Sequence, residues 1–166
     1  NTPATAANSI IVGAPVEVQM NLSVLAAGAI WQSAKTASLF HIGSAWPEHW
    51  LFGACMESAT PAADATFDFY WNASPSATVG TGNAGGCSGA DATYTAARLK
   101  QLIPIGSLVC GAVGINIDTA IGVLRMPHPY GSLVIVNSTA VAMVDTTADE
   151  IHFTLTPIPP DLQALA

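Results

Sequence analysis

Hydrophobic and polar residues alternate along several short stretches of the chain, and this period of two predicts β-strands. The clearest stretch covers residues 16–24, where Val, Met and Leu at the even positions alternate with polar residues. We expect a single strand there with one buried and one wet face, as in an antiparallel sheet. The same alternation predicts strands at residues 50–57, 66–71 and 150–156.

Weaker signals complete the predicted order of elements. Residues 131–137 form a nearly continuous hydrophobic run, which is typical of a central strand. Residues 93–101, which contain Arg98 and Lys100, favour a short helix or, equally, the entry to a strand. Pro157, Pro159 and Pro160 are expected to end the last strand, because proline lacks the backbone donor that a sheet needs. Further strands are predicted at residues 29–33, 37–42, 103–110, 112–117, 120–126 and 140–144.

Roughly eight or nine short strands separated by turn residues predict an all-β protein, either a sandwich or a small barrel. Eight strands with one long connection favour an antiparallel β-sandwich with jelly-roll-like connectivity. We predict an extended N-terminal arm at residues 1–15, the sandwich domain at residues 16–160 and a C-terminal tail at residues 161–166. The length of 166 residues suits one domain with a real core.

The long connection follows Asn72 and contains Gly80, Gly82, Gly85, Gly86 and Gly89, with small or polar residues between them. Such a run has too few large side chains to build a core of its own. Loops longer than about 12–15 residues are usually functional or mobile in compact domains. We therefore expect a rigid β scaffold that presents this glycine-rich loop to a partner.

Composition narrows the classes of partner. Hydrophobic residues make up 51% of the chain and charged residues 9%, against roughly 25% charged residues in an average soluble domain. Four Lys and Arg residues and a net charge of -7 argue against binding to nucleic acid or to an anionic membrane. The apolar stretch at residues 101–117 is interrupted by Pro104, Ser107 and Asn116, so we expect no transmembrane span. The starting residues lack the basic region of a signal peptide. Low charge suits a secreted lectin-like domain, and it suits better a subunit that buries much of its surface against neighbours.

No residue pattern predicts catalysis, a metal site or a cofactor. The three cysteines are too irregularly spaced for zinc; we expect Cys55 and Cys110 to be buried free thiols, whereas Cys87 in the glycine-rich loop has a position that permits exposure. The four histidines lack ligand spacing, and neither a G-x-S-x-G turn nor a calcium loop occurs. We therefore predict that the protein is not an enzyme, and a hydrolase with a triad assembled from distant residues stays an alternative. Three N-x-[ST] sequons begin at Asn21, Asn72 and Asn137, and chance explains them in a chain rich in Ser and Thr.

Aromatic and loop residues supply the candidate partner contacts. Trp50 and Trp71 have apolar neighbours at period two, so we place both in the core. Trp46 lies beside Pro47 in a turn, and Tyr70 points away from the predicted core face of its strand. The candidate contact residues are Trp46, Tyr70, Asn83, Gly85, Gly86 and Tyr130.

Three segments resemble a set found in small structural proteins of tailed bacteriophages. They are the strand and loop FDFYWNASPSATVGTGNAGGCSGAD, the strand KQLIPIGSLVC, and the closing runs YGSLVIVN and EIHFTLTPI. The similarity covers about the last hundred residues, and it implies a head decoration (cement) protein or a tail accessory protein with a β-sandwich core. It assigns no catalytic residue.

These observations lead to one main functional expectation and one alternative. We expect a non-enzymatic virion protein that binds the phage capsid lattice and stabilises it, with the major capsid protein or other virion subunits as partners. A homo-oligomer, for which a trimer is plausible, and assembly in the host cytoplasm follow by analogy. The alternative is a tail accessory or fibre-type β-sandwich that binds carbohydrate.

Overall fold

A computed structural model of the chain describes residues 14–20, 22, 24–37, 39, 47–56, 61–111, 117–144 and 151–158. Short alternating segments form strands, as the hydrophobic pattern predicts, and two 3₁₀ helices lie at Ala84–Gly86 and Ala96–Gln101. The strands are β1 (Val16–Glu17), β2 (Val24–Leu25), β3 (Ile30–Gln32), β4 (His49–Met56), β5 (Thr66–Ser74), β6 (Ala92–Thr93), β7 (Ile103–Val109), β8 (Ile117–Arg125), β9 (Tyr130–Asn137), β10 (Met143–Val144) and β11 (His152–Ile158).

Nine of the described strands form two antiparallel sheets that pack face to face, and β2 and β10 form a separate two-stranded sheet. The four-stranded sheet has the order β1-β11-β4-β8, and the five-stranded sheet has the order β6-β3-β9-β5-β7. Leaving out the short strands β2, β6 and β10, the remaining eight can be numbered 1 to 8 along the chain. One sheet then has the order 1-8-3-6 and the other 2-7-4-5, which is the double Greek key of a jelly roll. The predicted fold class, an antiparallel β-sandwich, is confirmed.

The core lies between the sheets and is dominated by aromatic side chains. Phe52 of β4, Phe69 of β5 and Phe153 of β11 form a triangle with ring centroids 5.2, 5.9 and 6.1 Å apart. Trp50 and Trp71 are also buried, as their apolar neighbours at period two predict. Burial of each such aromatic side chain contributes roughly 1.5–3 kcal/mol, so this layer is a large stabilising contribution.

Strand β9 has the central position that its hydrophobic run predicts, between β3 and β5. Its last residue, Asn137, is fully buried and fixes the ends of the neighbouring segments. The Asn137 side-chain amide donates hydrogen bonds to the carbonyl oxygens of Leu25, Ala26 and Val141, at 2.9 to 3.1 Å. Through these bonds the two-stranded sheet formed by β2 and β10 is attached to the sandwich.

The prediction of one long strand at residues 16–24 is wrong. Val16–Glu17 pairs with β11, whereas Val24–Leu25 pairs with β10 in a different sheet. Val18 still follows β11, since its N–H donates to the Phe153 carbonyl, but Gln19 and Met20 are not in a strand. Alternation shows which residues face inward, but it does not show that a segment changes sheets.

The prediction that Pro157 ends the last strand is also wrong, because β11 continues to Ile158 and Pro157 pairs with Trp50. Strand β1 pairs only with Leu155 and Thr154 of β11. Towards the C-terminal end of β11, the edge that faces β1 therefore has no paired strand among the described residues. Proline is tolerated where a strand has such an open edge.

Other boundaries differ by a few residues. The predicted helix at residues 93–101 is shorter and of 3₁₀ type, at Ala96–Gln101, and is preceded by strand β6. The arm up to residue 13, the tail at residues 161–166 and most of the predicted strands at 37–42 and 112–117 lie outside the described residues.

Candidate interaction surfaces

The glycine-rich loop lies against the outer face of the five-stranded sheet and adds a third layer to the sandwich. We call residues 75–102 the covering segment. Beneath it lie side chains of β5 and β9 that would otherwise be exposed on the outer face of the sheet. Asn72, Ser74, Ser132 and Val134 are all buried there. The loop is therefore part of the packed structure and does not project from it.

Lys35 attaches the first half of the covering segment to the sheet. The Lys35 ammonium donates to the Ser74 hydroxyl at 2.9 Å and to the carbonyl oxygens of Ser76, Thr78 and Thr81 at 2.7 to 2.8 Å. Charge-assisted hydrogen bonds of this kind are stronger than neutral ones. Burial lowers the pKa of Lys35 below its ordinary value of 10.5.

Gln32 attaches the middle of the covering segment. Its buried side-chain amide donates to the Ser88 hydroxyl at 2.9 Å and accepts from the Ser88 backbone N–H at 2.9 Å. Asn83 donates from its side-chain amide to the Ser88 carbonyl at 3.0 Å. The hydroxyl, the backbone N–H and the carbonyl of Ser88 are therefore all hydrogen-bonded.

A small apolar cluster joins the second half of the covering segment to the sheet. Cys87, Leu102 and Val134 are buried together, with Tyr70 and Tyr94 packed against them. The Tyr94 hydroxyl donates to the Gly85 carbonyl at 2.6 Å and shares a hydrogen bond with the Cys87 thiol. Burial raises the pKa of Cys87 to about 11 and that of Tyr94 to about 12.

The outer face of the four-stranded sheet is more exposed. We call it the open face: its central residues are exposed or half-exposed, and among its described residues only Cys55, towards one end, is buried. The register places Thr154, Gly53 and Ala120 side by side in one row. The described residues of the open face are Glu17, His49, Leu51, Gly53, Cys55, Ala120, Val123, Arg125, His152, Thr154, Thr156 and Ile158.

The next row of the open face consists of Thr156, Leu51 and Val123. In these two rows the only ionisable side chain among the described residues is Glu17, at the outer end, next to Thr154. Val123 is 57% exposed. At one end of the face Arg125 forms an ion pair with Glu48. The centre of the open face is thus apolar or weakly polar, and charge is confined to its margin.

Two further valines provide a useful reference. Val109 on edge strand β7 is 57% exposed, and Val79 at the tip of the covering segment is 58% exposed. Their exposure matches that of Val123, but neither belongs to the open face. Exposure alone therefore does not distinguish the open face, whereas the continuous uncharged rows do.

The structure brings most of the candidate contact residues together around the covering segment. Tyr70 is half-buried under it, Gly85 is buried within it, Asn83 is half-buried and Gly86 is exposed. Tyr130 lies at the start of β9, half-buried and paired with Ser74. Trp46 lies outside the described residues.

The position of Cys87 in the sequence permits exposure, but the residue is buried and only 5% exposed. The small residues around it pack onto the sheet and allow Leu102 and Tyr94 to cover it. Cys55 and Cys110 are buried and form no disulfide bond, as predicted. Two of the three sequons, at Asn72 and Asn137, begin with fully buried asparagines, which are inaccessible to glycosylation.

Sequence reasoning missed Lys35 and Gln32, the two side chains that hold the covering segment. Lys35 does have a signal, because it is one of only four Lys and Arg residues and stands in the uncharged run QSAKTAS. Gln32 has none, since its role depends on Ser88, which is 56 residues away in the chain.

The described residues contain no group of three or more His, Cys, Asp or Glu side chains arranged to hold a metal ion. Burial raises the pKa values of Cys87 and Cys110, which is the opposite of what a nucleophilic thiolate requires. Within the described part of the chain, no helix has the length and apolar character needed to cross a bilayer.

Comparisons of the chain with protein-family models, with curated proteins and with solved structures found no match. The function must therefore be inferred from the chain's own geometry.

Proposed function

We propose that the protein is a non-enzymatic structural subunit of a bacteriophage particle, which binds the coat lattice through the open face and stabilises it. The major capsid protein is the expected partner. The observation behind this proposal is the pair of uncharged rows across β11, β4 and β8. Ala120 and Val123 are exposed there, and Thr154, Gly53, Thr156 and Leu51 are half-exposed.

A surface of this kind suits contact with another protein. The centres of protein interfaces are depleted of charged residues, and the polar groups lie at the rim. The open face has the same arrangement, with Arg125, Glu48 and Glu17 at its margin. Val123 and Leu51 are paired across β8 and β4 and offer a flat apolar patch at the centre.

The opposite face of the molecule is less suited to this role. The covering segment already uses the outer face of the five-stranded sheet, where Lys35 and Gln32 bond to loop atoms instead of a partner. The two faces of the sandwich are therefore not equivalent, and the open face is the one available for docking.

The jelly-roll connectivity is compatible with this proposal, because viral coat and lectin domains use the same architecture. Fold by itself does not establish function, so the connectivity adds only general support. The phage origin depends on the resemblance of the last hundred residues described above.

The three equally exposed valines allow a controlled test. Val123→Asp places a charge in the centre of the open face, and Val109→Asp and Val79→Asp place the same charge elsewhere at equal exposure. Each purified variant is added to phage particles from which the native protein has been removed. Co-sedimentation measures binding, and a thermal scan measures the temperature at which the particles break open.

We expect Val123→Asp to bind at least about tenfold more weakly than wild type, which corresponds to about 1.4 kcal/mol, and to restore no thermal resistance. The two control variants should bind as wild type does. Equal losses for Val123→Asp and Val109→Asp would show that the open face is not the interface. A wild-type protein that binds no particle would contradict the structural role itself.

A further inference from the structure

A polar cleft of about 510 Å³ lies where the covering segment meets the edge of the five-stranded sheet. Strand β3 contributes Gln32 to its wall, and strand β6 contributes Thr93. The covering segment provides Ser88 and the exposed Gly86, and the second 3₁₀ helix provides Arg98. The volume is in the range of small-molecule sites, and the cleft belongs neither to the open face nor to the core.

Arg98 is the charged group of this cleft. Its guanidinium lies directly over Gly86, where an added Cβ would come within 2.0 Å of Nη1. The exposed Arg98 side chain has no hydrogen-bond or ion-pair partner among the described residues. Two of the other cations are engaged, because Lys35 is held by loop carbonyls and Arg125 pairs with Glu48. A cation left unpaired beside a cleft is available for an anionic ligand.

The donors of the cleft suit a carboxylate. The planar guanidinium of arginine matches a carboxylate with two parallel hydrogen bonds. The exposed residues Thr93 and Thr95 add hydroxyl groups that can donate or accept. A multiply charged anion is disfavoured, since a single arginine faces the cleft and the net charge of the protein repels anions.

We propose that this cleft binds an acidic monosaccharide. Arg98 pairs with the sugar carboxylate, and the hydroxyls of Thr93 and Thr95 bond to the sugar hydroxyls. A ligand with several hydroxyls suits the cleft better than a bare acid does, because hydroxyl-bearing Ser88, Thr93, Tyr94 and Thr95 surround it and the cleft is larger than a carboxylate requires.

The test uses the full chain and two matched charge variants. Arg98→Gln removes the guanidinium from the cleft, and Lys100→Gln removes one positive charge from the same 3₁₀ helix at a residue outside the cleft lining. Nuclear magnetic resonance titrations measure binding of glucuronate, glucose, acetate, glutamate and inorganic phosphate to each protein. Backbone spectra recorded without ligand verify that both variants are folded.

We expect wild type to bind glucuronate with a Kd of about 1 mM, with shifts at the residues of the cleft. Binding should be at least about tenfold weaker in Arg98→Gln and nearly unchanged in Lys100→Gln. Glucose, acetate and glutamate should bind much more weakly than glucuronate.

Several results would overturn the proposal. Equal binding of glucose would show that the carboxylate is not recognised, and equal binding of acetate, glutamate or phosphate would show that the sugar is not. Equal losses in the two variants would indicate general electrostatic attraction. None of these results bears on the open face, since Val123 belongs to the other sheet, so the two proposals fail separately.

Discussion

The outer faces of the two sheets are built from similar strands but have different neighbours. On the five-stranded sheet, Asn72, Ser132 and Ser74 are buried under the covering segment. On the four-stranded sheet, Thr154 and Thr156 remain half-exposed at the corresponding outward positions. Polar outward-facing residues thus occur on both faces. They are buried on the five-stranded sheet because the covering segment packs over them, and they are half-exposed on the four-stranded sheet.

This difference in burial affects how much each polar side chain contributes to the stability of the fold. A polar side chain that is buried must be hydrogen-bonded, because an unpaired one loses its hydration without compensation. Gln32 and Lys35 meet this requirement through specific atoms of the covering segment. Threonines on the open face are in contact with water and have no such requirement. Substitutions on the covered face should therefore cost far more stability than those on the open face.

The largest effect is expected at Gly85, which is buried within the covering segment at φ +59°. A Cβ there would lie 2.7 Å from Leu102 Cδ2 and 2.8 Å from the Tyr94 hydroxyl. We expect Gly85→Ala to lower the free energy of unfolding by about 3 kcal/mol, through backbone strain and overpacking. Gly80→Ala is the control, because φ is +78° there with no atom within 4 Å, and it should cost about 1 kcal/mol. Urea unfolding measures both values, and equal losses would show that the covering segment is not closely packed.

The second prediction compares one polar residue on each face. Gln32→Met removes the amide that bonds to Ser88 and leaves the Ser88 N–H unpaired, so we expect a loss of about 2 kcal/mol. Thr156→Val on the open face keeps the shape of the side chain and should change stability by less than about 0.5 kcal/mol. Thermal unfolding monitored by circular dichroism measures both variants. Similar losses would remove the distinction between the faces.

A smaller effect is expected at Lys35, which is half-buried and partly screened by solvent. Lys35→Met removes the hydrogen bonds to Ser76, Thr78 and Thr81, and we expect it to lower stability by about 1.5 kcal/mol. Hydrogen exchange should become faster at residues 76–81 and stay unchanged in β4 and β11. Lys100→Met, at an exposed lysine, is the control and should leave exchange unaltered. Unchanged exchange in Lys35→Met would show that another contact holds the loop.

The smallest effect is a dependence on pH that arises from Cys87 on the covered face. Burial raises the pKa of Cys87 from its ordinary value of 9.0 to about 11, so the unfolded chain loses this proton at lower pH than the folded protein does. The stabilising contribution is complete below about pH 9 and should decline as the pH rises towards about 11. Urea unfolding between pH 7 and 11 measures the decline. It should be shallower in Cys87→Ala, and an identical slope would show that this thiol does not titrate differently on folding.

The position of the interface candidates illustrates what a linear pattern can predict. Tyr70 points outward from the core, as the period of two predicts, but it ends half-buried because the covering segment lies over it. Cys87 shows the opposite outcome. Its position in a small-residue loop permits exposure, but the side chain is buried because it packs against Val134. In both cases the local pattern indicates which way the side chain points. Whether the side chain is exposed depends on contacts with a segment that is distant in the sequence.

The sequence by itself determined the fold class, the inward residues of most strands and the central position of β9, because alternation and β-branched runs act locally. It did not determine the role of Lys35, the burial of Cys87 or the division of residues 16–24 between two sheets. Those features depend on which distant segments pack together. The free energy of such a contact depends on both segments, so the residues of one segment alone do not predict it. Only the tertiary structure therefore decided that one outer face is covered and the other is open.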